Sequence, residues 1–184
     1  MKEIILIRHA KVDVSSDTTM YAHELKAWVK NYDNAEIDLE SLPDENLKKL
    51  VAKAGIIVCS TAYRTAQTAK VLGVVAKEKN PMFNEVPIPD MDIPFFKFKA
   101  KTWLILMRVV MFLRLGGQKI SLKRSKLQAE KAAQRLMALS EEYGSVVLIG
   151  HGGTNWMIRK ALLKEGWVLK EASNKNWGVT RLTL

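Results

Sequence analysis

Two of the three histidines in this 184-residue chain each end an apolar run of strand length. Ile4-Ile5-Leu6-Ile7 runs into Arg8-His9-Ala10, and Val146-Val147-Leu148-Ile149 runs into Gly150-His151-Gly152-Gly153. In open α/β sheets, ligands bind just beyond the carboxyl ends of the strands. Two imidazoles delivered to that edge, one with a guanidinium beside it, suit an anionic phosphate. A third string, Ser60-Thr61-Ala62-Tyr63-Arg64-Thr65-Ala66-Gln67-Thr68-Ala69, follows the apolar run Ile56-Ile57-Val58-Cys59. It puts Arg64 in the first turn of a helix whose N-terminal N–H groups face the same edge. A single helix arginine is usually a surface residue; its company here points to the site instead. Two arginines fit a phosphate because the planar fork donates paired hydrogen bonds and stays charged. A neutral imidazole is a competent nucleophile near neutral pH, and arginines beside His9 disfavour its protonated form.

The elements that must position these groups follow from the apolar pattern. Residues 3–7 read as a buried strand and 10–18 as a polar loop. Residues 19–32 read as a helix with Thr18 or Thr19 as its cap. A second helix opens at Pro43-Asp44-Glu45 and ends near Gly55. Residues 56–59 are a second buried strand, and Ser60 or Thr61 caps a helix running to about residue 72. A short strand is expected near 82–85, and Pro87, Pro89 and Pro94 forbid regular structure after it. Residues 95–115 read as a helix stopped by Gly116-Gly117, and about 123–143 as another. A strand at 145–149, a helix at 153–165 and a closing strand at 179–183 complete the chain. Strands alternating with helices predict an α/β fold, a three-layer α/β/α sandwich with a mainly parallel sheet. The length fits one domain over 1–184.

The net charge of +10 is concentrated rather than spread. Residues 97–135 hold eleven lysines and arginines against one acid, Glu130, so the rest of the chain is neutral overall. Such a segment indicates an anionic neighbour or a solubilising face. Within it, residues 103–115 are the most hydrophobic stretch, but at thirteen residues with two arginines they are too short to span a bilayer. At 100° per residue Lys97, Lys101 and Arg108 share one stripe, and the remaining surface is apolar. This helix is expected as core or lid, with contact to an anionic membrane surface or a homodimer partner through 95–115 as the other readings. The lone Cys59 reads as a small buried hydrophobe. No signal-peptide shape opens the chain, and a cytoplasmic location is expected.

Taken in order, the three strings resemble the histidine phosphatase superfamily, also called phosphoglycerate mutase-like. Arg8-His9 matches its Arg-His-Gly motif, Ser60 through Ala69 its Ser-x-x-x-Arg-x-x-x-Thr-Ala stretch, and Gly150-His151-Gly152 its second histidine motif. The resemblance implies that His9 takes the phosphoryl group as phosphohistidine, while Arg8, Arg64 and His151 hold its oxygens with help from the Gly152 amide. It implies an acid after a short strand and before a lid, where Glu85 stands, with Asp90 and Asp92 as substitutes. It needs no cofactor and no metal. The chain departs from the pattern at Ala10, where glycine is commonest, and at Val12, where a hydroxyl is usual. Ser15 stands in place of a phosphate-contacting asparagine and is expected to bind phosphate with a shorter reach. The glycine-tryptophan-glutamate-glycine pattern after the acid is replaced by Pro87-Ile88-Pro89-Asp90-Met91.

The resulting expectation is a metal-independent phosphomonoester hydrolase of the histidine acid type, acting on a phosphorylated small molecule. A phosphoglycerate-type mutase is the alternative enzyme. A catalytically weak phosphate-binding or membrane-associated protein using 97–135 is the alternative of another class. No nucleic-acid motif accompanies the basic segment. The lid is expected from residues 86–122, placing Lys97, Lys99 or Lys101 near the substrate mouth. His23 reads as a structural or surface residue.

Overall fold

A computed structural model of the chain describes residues 2–89, 93–113 and 119–184. Asp90, Asp92 and the stop at Gly116-Gly117 lie outside them. Six strands form the central sheet. In chain order they are β1 (Glu3–Arg8), β3 (Ile56–Cys59), β4 (Glu78–Lys79), β6 (Ser145–Gly150), β7 (Val168–Ala172) and β8 (Val179–Thr183). Their spatial order is β4-β3-β6-β1-β8-β7. The first four are parallel, and β8 closes the sheet antiparallel to both neighbours.

The period of two along each buried strand sorts its side chains into two cores. Ile4, Leu6, Val58, Val146 and Leu148 face α5 (Lys119–Tyr143) and α6 (Gly152–Lys164). Ile5, Ile7, Cys59, Val147 and Ile149 face α2 (Glu45–Ala52) and α3 (Tyr63–Val71). The result is the three-layer α/β/α sandwich with a mainly parallel sheet that the alternation predicts. A third cluster sits apart, around fully buried Trp103 of α4 (Ala100–Phe112). It joins α4 to Leu25 of α1 (Leu25–Asn34) and to Met20 of a two-stranded ribbon, β2 (Thr19–Tyr21) with β5 (Lys97–Lys99).

Several boundaries differ from those the pattern predicts. The expected strand near 82–85 is a 3-10 turn, Pro81–Phe83, and the strand lies earlier, at β4. Pro81 has no N–H for a ladder, and the Asn80 side chain accepts from the Met82 amide instead. The expected 19–32 helix yields its first residues to β2 and a 3-10 turn, Ala22–Glu24, so neither Thr18 nor Thr19 caps it. The long 95–115 helix likewise begins only at Ala100, after β5. β7 is absent from the predicted elements: all five of its residues are exposed on an edge, so its sequence lacks an apolar alternation. No described helix is long and apolar enough to cross a membrane.

Gly55 enters β3 directly beneath the end of α5, where a methyl group would overlap the carbonyl oxygen of Tyr143. Neither backbone can retreat without shifting a buried strand. We expect Gly55→Ala to lower unfolding free energy by about 1–3 kcal/mol in urea titrations, in the range of overpacked cores. An unchanged midpoint would show that the helix end moves freely.

Candidate active site

The register of β1 against β6 pairs Arg8 with Gly150, so His9 and His151 leave neighbouring parallel strands at the same level. The His9 amide donates to the Gly150 carbonyl at 3.0 Å, and the Ser60 amide at the end of β3 donates to Ile149 at 3.3 Å. Three strand ends are thereby tied together, and the imidazole centroids stand 5.3 Å apart.

The proton positions follow from the partners. His9 is 2% exposed, and its Nδ1 lies 2.6 Å from the Ala10 carbonyl oxygen. A carbonyl only accepts, so Nδ1 carries the hydrogen and Nε2 keeps a bare lone pair. Arg64 Nη2 donates to His151 Nδ1 at 3.1 Å. That leaves the hydrogen of His151 on Nε2, which donates to Ser60 Oγ at 2.8 Å. Ser60 Oγ also lies 3.0 Å from Thr65 Oγ1. The expected capping role of Ser60 or Thr61 is replaced by these contacts: Ala62 is the N-cap of α3, and the Thr61 hydroxyl turns to Asn84. Burial first, and then the Arg64 charge, hold the His9 pKa down to about 3. The same causes in the same order, with the other histidine and Arg8 adding to them, bring His151 to about 2.

Arg64 is 5% exposed. Its Nη1 pairs with Asp33 of α1 at 2.7 Å, and the Tyr32 ring lies beneath the guanidinium carbon at 5.4 Å. Arg8 donates through Nη1 to the Asn174 carbonyl at 2.7 Å. Neither Arg8 Nε nor Arg64 Nε has a hydrogen-bond partner, although both are buried; Arg108 Nε of α4 shares that condition. All three arginines line a cavity of about 420 Å³ with His9, Tyr32 and Glu85. Buried donors left unmatched are uncommon in native structures, and here three guanidinium groups each carry one beside a single cavity.

Glu85 sits over the first turn of α6. The Thr154 amide donates to its Oε1 at 3.0 Å and the Gly153 amide to its Oε2 at 3.3 Å. A Cβ on Gly153 would stand 2.7 Å from Oε1, so only glycine admits this close seat. Arg108 Nη2 approaches Oε2 at 3.6 Å. Of the residues expected at the site, His9, Arg8, Arg64 and Glu85 share the cavity. His151 stands behind it with both ring nitrogens engaged. Gly152 lines an adjoining depression with Arg8 and Arg108. Ser15 lines another with Arg8 and Tyr32, and its hydroxyl accepts from the Asp17 amide at 3.2 Å.

Of the three lysines expected at the mouth, Lys99 and Lys101 pair with Asp17 at 3.0 and 2.8 Å, and Lys97 lies over Tyr21. Lys101 still borders the depression that holds Ser15. Arg108, from the same basic stripe, is the residue that reaches the His9 cavity. Tyr32, Asp33 and the 173–178 loop also serve the site without standing out in the sequence. That loop supports the end of β1 through Asn176 Nδ2 to the His9 carbonyl at 2.9 Å and the Trp177 amide to the Arg8 carbonyl at 3.1 Å. The shared stripe is the available signal for Arg108; the others have none at the level of pattern.

No protein-family model matches the sequence, and no curated protein sequence matches it. The fold does match solved structures. A phosphoserine phosphatase from Entamoeba histolytica, in complex with 3-phosphoglyceric acid, aligns with a TM-score of 0.59 at 16% identity, covering 98% of this chain and 90% of that one. The product of open reading frame Rv3214 from Mycobacterium tuberculosis aligns at 0.57 and 15% identity, covering 100% and 96%. A protein from Escherichia coli assigned as an α-ribazole-5′-phosphate phosphatase aligns at 0.52 and 13%, covering 95% and 93%. These neighbours are histidine phosphatase superfamily members, and the chain shares their fold.

The two depressed imidazoles make stability fall in acid. An unfolded histidine binds a proton near pH 6.5, whereas His9 stays neutral in the native state to about 3. Below about 6.5 the unfolded chain therefore holds more protons, and stability is lost progressively toward the native value. We expect the urea midpoint to drop as pH is lowered from about 6.5 toward 4, and to drop less steeply in His9→Asn, whose amide can still donate to Ala10. Equal slopes would mean that His9 is not held neutral.

Proposed function

From a fold shared with the histidine phosphatases and an anion cavity at its strand ends, we propose that the chain is a metal-independent phosphomonoester hydrolase working through phosphohistidine on His9. The observation that carries this reading is the bare Nε2 of His9, kept neutral by burial, at a cavity walled by three guanidinium groups with unmatched donors. A binding module has no need of a free nucleophilic nitrogen there.

In the first step Nε2 attacks phosphorus and the bond to the ester oxygen breaks. Charge spreads over the three equatorial oxygens, and Arg8 and Arg64, which line the same cavity as His9, receive it through their guanidinium groups. His151 holds Arg64 through Nδ1 and touches phosphate only by exchanging one of its own partners. Gly152 adds a first-turn amide, and Ser15 a hydroxyl from the neighbouring depression. Glu85 gives the proton to the leaving oxygen, oriented by the amides of Gly153 and Thr154. In the second step water attacks phosphorus, the N–P bond breaks, Glu85 takes the water proton and inorganic phosphate leaves. No metal enters either step. The described part of 86–122 serves as the lid of one domain, since Val86, Ile88, Leu104 and Arg108 line the same cavity as His9. The substrate is a phosphorylated small molecule, in keeping with the 3-phosphoglyceric acid bound by the Entamoeba phosphatase.

The test is release of p-nitrophenol from p-nitrophenyl phosphate in excess chelator. Wild type should turn over, His9→Ala should lose about a thousandfold or more in kcat, and Arg64→Met about a hundredfold in kcat/KM. Acid quench during turnover should trap an acid-labile phosphoryl group on wild type and none on His9→Ala. A folded His9→Ala protein with wild-type turnover would falsify the mechanism.

A further inference from the structure

Two of the depressions near the His9 cavity adjoin it in series through shared lining residues. The first, about 270 Å³, shares Arg8, Val86 and Arg108 with the His9 cavity and adds Met111 and Phe112. The second, about 320 Å³, shares Phe112, Trp156 and Met157 with the first and is floored by Leu122, Ala129 and Ala161. Along this path the walls change from guanidinium to hydrocarbon. Phe112 and Trp156 meet edge to face at 5.1 Å where the depressions join. Lys160 lays its ammonium 3.8 Å from the centroid of the Trp156 ring, which holds the indole as a wall. Lys126, Glu130 and Lys164 complete the rim, where long stems add apolar wall while charged heads can stay in water.

α4 borders the same path and is apolar on two faces. Trp103, Met107, Val110 and Met111 are buried, while Ile105, Val109 and Leu113 are exposed, Ile105 at 62% and Leu113 at 64%. A solvated helix normally turns charge outward; here the exposed face of α4 is apolar as well, with Ile105 bordering the depression that holds Ser15.

We infer that the substrate is a phosphomonoester of a long apolar alcohol. The inference rests on the hydrolase reading and names its substrate class. The phosphate lies among His9, Arg8 and Arg64, and the chain runs past Val86, Met111 and Phe112 into the groove between α5 and α6. Hydrolysis proceeds as above: the N–P bond to His9 forms as the alkyl oxygen leaves with a proton, and water then releases inorganic phosphate. Between the arginines and the lysine-and-glutamate rim of the groove the walls are Val86, Met111, Phe112, Trp156 and Met157, against which an alkyl chain gains burial and a hydroxyl group does not.

The experiment is a chain-length series of ethyl, butyl and octyl phosphate, held below micelle formation, with p-nitrophenyl phosphate as the reference substrate. In wild type kcat/KM should rise about tenfold from butyl to octyl, well under the limit for full burial because the groove is open. Ala161→Trp fills the groove and should flatten the series while leaving ethyl and p-nitrophenyl phosphate unchanged. Trp156→Ala, which removes a wall, should reduce the octyl advantage and guards against a misfolded tryptophan variant. Wild type active on p-nitrophenyl phosphate but indifferent to chain length overturns the substrate class and leaves the hydrolase reading standing. The substrate class is likewise overturned if the octyl advantage survives both variants, or if sedimentation shows a dimer that covers α4 and no chain-length effect appears. Wild type inactive on every ester overturns the hydrolase reading and this inference with it.

Discussion

Arg64 is a cation held almost wholly out of water, and much of the site is arranged around that fact. Burying an unpaired guanidinium would cost several kcal/mol, so each of its donors needs a partner or a use. Asp33 takes Nη1 and the bare Nδ1 of His151 takes Nη2. The second of these fixes the tautomer of His151, which sends its remaining hydrogen to Ser60 and withdraws both residues from other roles. After burial, the Arg64 charge also depresses the basicity of both imidazoles, so His9 Nε2 stays unprotonated beside it. The unmatched Nε groups are what this arrangement leaves over.

The sheet supplies the precision that such a cluster needs. His9, Ser60 and His151 each follow the last residue of a strand, and the β1, β3 and β6 ends are tied by amide donors across them. A slip of one residue in any ladder would exchange the side chains of the two cores along that strand and move its site residue off the edge. The apolar faces of Ile4 to Ile7 and Val146 to Ile149 therefore specify the site as well as the fold. Asn155 adds a further tie from α6 to the Ile7 carbonyl at 3.1 Å.

What can be read in the chain follows from how local each signal is. Buried parallel strands are short apolar runs, so β1, β3 and β6 are visible within a residue or so, and the motifs at their ends come with them. Glu85 is visible only through its place in the order of elements, and its supporting element is a 3-10 turn rather than a strand. Residues that act through distant partners leave no trace: Asp33 reaches Arg64 from another helix, and Asn176 supports His9 from a loop 167 residues later. The β2–β5 ribbon is hidden for the same reason, because Thr19 and Lys99 pair only after the chain between them has folded back.

The distribution of charge shows where chemistry ends and selection begins. The whole excess lies in 97–135, yet its members are used unequally. Lys99 and Lys101 are drawn off by Asp17, and Arg135 grips Glu78 on the far edge of the sheet with its Nη2 at 2.6 Å. Arg108 is the member that reaches the His9 cavity, and it also lines the depressions that hold Ser15 and Gly152. In the proposed hydrolase a guanidinium at this junction would add to the field at the phosphate and meet the leaving group. On that reading the strand ends would decide which bond is broken, and α4, packed on Trp103 and tethered by the small ribbon, what can be attached to it. The strand ends and α4 belong to separate clusters of the core, which lets the face of α4 change without disturbing the register that holds His9.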